Sequence, residues 1–110
     1  MSDIRQARTA LVARILGERG AASPTQRRAA FDNLGLPEPV SRLAEKVAKH
    51  AYRITDDDIA AVRIAGFTED QIFEFVVCAA IGQATRQYEA ALAAVEAATG
   101  RTGHAPCDPR

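Results

Sequence analysis

A chain of 110 residues is most simply one domain, long enough to bury about 65% of the surface its unfolded form exposes. Its 14 basic and 14 acidic residues cancel, and the densest basic cluster is the pair Arg27-Arg28. This argues against a dedicated nucleic-acid binder, whose affinity comes largely from neutralising phosphates.

The apolar fraction is 47%, and much of it is alanine. Alanine packs helices closely but buries little area per residue, so a lone copy would have a thin core and a homo-oligomer is expected. The apolar run that ends at Gly82 falls far short of the roughly 20 residues needed to span a bilayer. The start MSDIRQAR lacks the apolar core of a secretory signal, and two cysteines, Cys78 and Cys107, make no disulfide framework. The expectation is a cytoplasmic protein with no membrane partner.

Helical periodicity predicts an all-α domain of about five helices over residues 1–100, followed by a loose tail at 101–110. In SDIRQARTALVARILGERG, Ile4, Leu11, Val12, Ile15 and Leu16 fall on one stripe, and Gly20 supplies a stop. The second helix opens with Ser23 as N-cap, Pro24 in the first turn and Gln26 completing a capping box, and Gly35 closes it. After the rigid connector LPEP, a third helix carries Val40, Leu43, Ala44, Val47 and Ala51.

Thr55 then caps a short helix, with Asp58 as box partner, Ile54 and Ile59 as a hydrophobic staple, and Gly66 as its end. Phe67, Thr68, Gln71 and Ile72 repeat the same grammar and start a long helix from Glu69 to Thr99, with Gly100 after it. The first half of that helix, IFEFVVCAAIGQA, is apolar almost all round and predicts a buried, central element. Gly82 within it costs about 1 kcal/mol relative to alanine, which the close approach of another helix would offset.

The chemistry-bearing residues are few. The aspartates 56–58 fan out by about 100° each along a helix, so they suit the positive helix N-terminus better than a metal. Cys78, with Glu74 one turn before it and Val77, Ala79 and Ala80 around it, reads as a small core residue or, as the sharper alternative, a nucleophile. His104 and Cys107 in the tail make no metal site. His50 and Tyr52 end the third helix as surface or cleft residues. Arg86, flanked by Gln83 and Gln87, is an interface arginine or a carboxylate anchor. No phosphate loop, nucleophile elbow or zinc helix is present, and neither a cofactor nor a metal is expected.

The segment from Leu43 to Leu92, and more loosely residues 39–98, resembles the carboxymuconolactone decarboxylase and alkylhydroperoxidase D-like (AhpD-like) family. The resemblance lies in the AGFTEDQIFE joint, the alanine-rich helix after it and the ATR that contains Arg86. It implies an all-helical oligomer, a dimer, trimer or hexamer. It also implies a Cys-x-x-Cys-x-x-x-His redox centre before the joint. Counting back from Gly66 sets those cysteines near Ala51 and Ile54 and the histidine near Asp57 or Asp58. No cysteine lies anywhere before Cys78, so thiol peroxidase activity does not carry over.

The segment is closer still to the cysteine-free second half of longer family members. Three readings follow. The first is a non-peroxidase binding or accessory subunit, partnered by a cysteine-bearing relative or by itself. The second is an enzyme of the decarboxylase branch acting on a small carboxylate or lactone, with Arg86 as anchor, Tyr52 nearby, and His50 or Glu74 as base. The third is a thiol antioxidant protein that uses Cys78.

Overall fold

Three side-chain-to-backbone boxes set where helices begin. In the computed structural model, which describes residues 2–17 and 20–100, each of the boxes expected at Ser23/Gln26, Thr55/Asp58 and Thr68/Gln71 is closed in both directions. They start α2 (Pro24–Asp32), α4 (Asp56–Ile64) and α5 (Glu69–Thr99); α1 spans Ser2–Ile15 and α3 Val40–Lys49. Among the described residues every regular element is helical. The tail residues His104 and Cys107 lie outside the described residues.

The staples work as their spacing implies. Ile54, Ile59 and Phe67 pack against the core, Ile72 is buried, and Phe67 meets Phe75 edge-on at 5.3 Å between ring centres. The aspartate triplet is the first turn of α4. Asp58 bonds the Thr55 amide and hydroxyl and accepts two bonds from Lys46 Nζ at 2.9 and 3.0 Å, joining α4 to α3. Lys46 holds the Asp58 carboxyl below its ordinary value of 3.8. A carboxyl lowered on folding stabilises the fold above its unfolded pKa, so this contribution is present above pH 3.8 and is lost as pH falls through the lower folded value.

Helix ends depart from expectation where tertiary contacts, not local residues, decide them. The first helix stops at Ile15 and not at Gly20, because the Ile15 carbonyl is taken by Arg27 Nη1 at 2.9 Å. The second is closed by Asn33 in the left-handed conformation (φ 57°), whose amide returns to the carbonyls of Ala29 and Ala30, and not by Gly35. Asparagine tolerates that region because its short polar side chain satisfies the local backbone. The third stops at Lys49, and a single 3₁₀ turn, Ala51–Arg53, follows. Lys46 is tied to Asp58, so the chain must reverse within a few residues, and Ala51 leaves the helical stripe to do so.

Helices α2 and α3 lie against α5, whose inner face buries Ile72, Phe75, Cys78, Ala79 and Gly82. The expectation that the first half of α5 is a buried, central element holds for one face only: Phe73 is 67% exposed and Ala80 is exposed too. Beyond Gly82 no α5 residue is buried. Hydrophobic burial on α5 is one-sided because α2 and α3 cover only one face and stop short of the helix's far half. The molecule is accordingly long, 60 × 29 × 20 Å, with a radius of gyration of 17.4 Å. A compact domain of this length would measure about 13 Å.

The contact that fixes α2 on α5 is backbone on backbone. A Cβ added to Gly82 would fall 1.9 Å from the Phe31 carbonyl oxygen and 2.9 Å from Phe31 Cα. Gly82→Ala would gain about 1 kcal/mol of helix propensity. It must also push α2 off α5, so a net loss of about 2 kcal/mol or more is expected. Guanidinium unfolding measures it; a rise in the midpoint would show that the crossing is not as close as described.

Candidate functional site

Arg86 stands one turn past Gly82 and serves the same crossing. Its Nη1 donates to the Phe31 carbonyl at 2.7 Å and its Nη2 to Gln83 Oε1 at 3.1 Å. The guanidinium thus satisfies a carbonyl in the last turn of α2, where the helix itself supplies no donor. Beside it, α1, α2 and the middle of α5 leave a cleft of about 760 Å³. Val12, Leu16, Phe31 and Leu34 give it apolar walls, and Arg8 and Arg28 join Arg86 around it. Both added arginines have acidic partners, Glu89 at 3.4 Å and Asp32 at 3.0 Å.

A second, smaller cavity of about 200 Å³ lies near the start of α5 between Arg14, Ile15, Arg27, Glu74 and Cys78. Its polar wall is assembled by the loop after α1. The amides of Ala21 and Ala22 donate to Glu74 Oε2 and Oε1 at 2.7 and 2.9 Å. Gly20 allows this approach, because at its φ of 145° a Cβ would sit 2.8 Å from Oε1. Gly20 is therefore part of a carboxylate cradle and not the stop of a helix.

Arg27, read from sequence only as half of the densest basic cluster, is 2% exposed. Its Nε donates to the Ala22 carbonyl at 3.1 Å and stands 3.8 Å from Glu74 Oε1. Nothing in the local sequence distinguishes it from Arg28, its exposed neighbour; only the i, i+3 alignment with Ala30 on the inner face of α2 hints at burial.

Cys78 is 1% exposed, and its Sγ faces the Ile15 carbonyl at 3.8 Å. Burial pushes its thiol above the ordinary 9.0; Arg27 pulls the other way, and Glu74 adds to the rise. Glu74 and Cys78 thus share one cavity. Arg86 lies twelve residues along α5 from Glu74, about 18 Å at the helical rise, and lines the other. His50 and Tyr52 line neither. They sit exposed at the 3₁₀ turn, edge-to-face at 6.1 Å, with Tyr52 81% accessible. The four residues offered as one small-carboxylate pocket are distributed over three places.

No family model, curated protein or solved structure matches the chain. Among the described residues no helix is long and apolar enough to cross a membrane, and no three of His, Cys, Asp and Glu converge as metal ligands.

The chemistry of Cys78 is that of a shielded, neutral thiol. With the folded protein, iodoacetamide should label it at least about a hundredfold more slowly than in the guanidinium-unfolded chain, read site by site by mass spectrometry. Equal rates in the two states would mean an accessible thiolate and contradict this geometry.

Proposed function

We propose that the chain is a helical binding or accessory subunit that acts as a homo-oligomer without thiol peroxidase activity, an AhpD-like member that has lost the redox pair. The observation that carries the reading is an open two-helix layer. Cys78 meets Ile15 and Glu89 meets Arg8, so α1 runs antiparallel to α5 between these two points and touches the far half of the long helix through Arg8. The guanidinium of Arg8 also lies 5.0 Å from the centre of the Tyr88 ring. The layer nonetheless leaves Ile4 54%, Leu11 42% and Val95 51% exposed, beside the 760 Å³ cleft.

An isolated pair of helices cannot bury its apolar stripe on both sides. Tyr88, Leu92, Val95 and Thr99 are spaced four, three and four residues apart, the pattern of a helix–helix seam. Two such layers related by a two-fold axis close into a four-helix bundle, each copy covering the other's Leu11 and Val95. Peroxidase chemistry needs an attacking thiolate and a resolving thiol. No cysteine precedes Cys78, and Cys78 is buried and protonated at neutral pH.

Light scattering after size exclusion should report a dimer or a multiple of it at micromolar concentration. The pair Leu11→Glu and Val95→Glu, at exposed positions that contribute little to the fold of one copy, should yield a folded monomer. A wild-type monomer with unchanged helicity over that range would overturn the reading.

A further inference from the structure

The outer face of α5 carries a pattern that the α1–α5 layer alone does not require. At about 100° per residue, Phe73, Val77, Ala80, Ala84, Tyr88, Ala91 and Val95 fall on one line, opposite the buried Phe75 and Gly82. Phe73, Ala80, Ala84, Ala91 and Val95 are exposed, and Val77 and Tyr88 are half-buried. None of them is charged, although Glu69, Asp70, Glu74, Arg86, Glu89 and Glu96 stand elsewhere around the same helix. The row runs from Phe73 to Val95, about 33 Å at the helical rise. An uncharged, largely apolar face of that length marks a surface for another protein element.

The spacing of the row names its partner. Successive members are four, three, four, four, three and four residues apart, which reads the same in both directions from Ala84. A face with that symmetry meets an identical antiparallel face in register, as a two-fold interface requires. We infer that α5 pairs through this row with α5 of a second copy, antiparallel, with Ala84 on the two-fold axis. Phe73 then faces Val95 of the partner subunit, Val77 faces Ala91 of the partner subunit, and Ala80 faces Tyr88 of the partner subunit. Each side chain meets one of different size, and Ala84 against itself gives the closest approach.

A separate observation sets the axis at the same level. The Cys78–Ile15 and Glu89–Arg8 contacts tie α1 to α5, and Ala84 and Leu11 stand near the midpoints of the two segments they span. The exposed Leu11 is therefore level with Ala84 and meets Leu11 of the partner subunit across the axis. The row and α1 beside it would cover about 600 Å² on each copy; the total, about 1,200 Å², exceeds the roughly 1,000 Å² a specific interface needs. Charge also fits a self-partner, because a row without charges brings no like charges together when it meets itself. This pairing rests on the homo-oligomer reading above and adds its register.

Cysteine cross-linking reads the register, in the full chain carrying Cys107→Ser and with the native Cys78 shielded. Under diamide, Ala84→Cys should oxidise to a disulfide-linked dimer. Ala93→Cys, exposed on the opposite side of α5, should do so at least about tenfold more slowly. Mixed Phe73→Cys and Val95→Cys chains should yield the 73–95 disulfide in excess over 73–73 and 95–95, identified by mass spectrometry. Ala84→Trp, at an exposed position that one copy tolerates, should leave a folded monomer where the wild type is a dimer. A wild-type dimer in which Ala84→Cys and Ala93→Cys oxidise alike, or that survives Ala84→Trp, would overturn this register and leave the homo-oligomer standing. A wild-type monomer would overturn both.

Discussion

The carbonyl of Phe31 rests on the bare backbone of Gly82, and the rest of the molecule is arranged around that contact. It brings the end of α2 to the middle of α5 and lets Arg86, one turn further, donate to the same carbonyl. It also orients the opposite end of α2, where Arg27 holds the last carbonyl of α1. A helix pair joined by side chains alone would stand about 8–10 Å apart and could slide. A glycine crossing locks register, because any shift along α5 would meet a Cβ.

That crossing also divides α5 in two. Before Gly82 the helix has α2 and α3 on its inner face and supplies the largest fully buried side chain of the core, Phe75. After it the helix continues to Thr99 and meets α1 through Arg8, by a 3.4 Å ion pair and a cation–π contact. Contacts of that kind at a largely solvated surface contribute little, about 1 kcal/mol together. The distal half therefore has helical propensity from its alanines but little burial. Most helical stability in proteins comes from packing an apolar face, and here much of that face has no cover within one copy.

Local grammar was legible where a few adjacent residues suffice. The three capping boxes, the two staples and the full extent of α5 follow from residues within one turn of each boundary, and they were readable for that reason. The close approach at Gly82 was legible as a cost that needed a reason. What could not be read were boundaries and roles set by residues far apart in the chain: the end of α1 at a carbonyl taken by Arg27, the turn at Ala51 imposed by the Lys46–Asp58 pair, and the burial of one arginine from an Arg-Arg pair. The same holds for the site. Glu74 and Cys78 share a helix face by spacing, but Gly20, Ala21 and Ala22 reach them across some fifty residues of sequence, and Arg86 proved to serve the α2 carbonyl.

The central claim is that α5 is one helix with two sources of stability, its own chain before Gly82 and a second copy after it. Amide hydrogen exchange, followed by mass spectrometry at protein concentrations from nanomolar to tens of micromolar, separates the two halves directly. The account predicts that amides from 72 to 84 are strongly protected at every concentration. Those from 88 to 99 should gain protection as concentration rises. Protection of the distal half that equals the proximal half at the lowest concentration, or that stays absent at the highest, would contradict it.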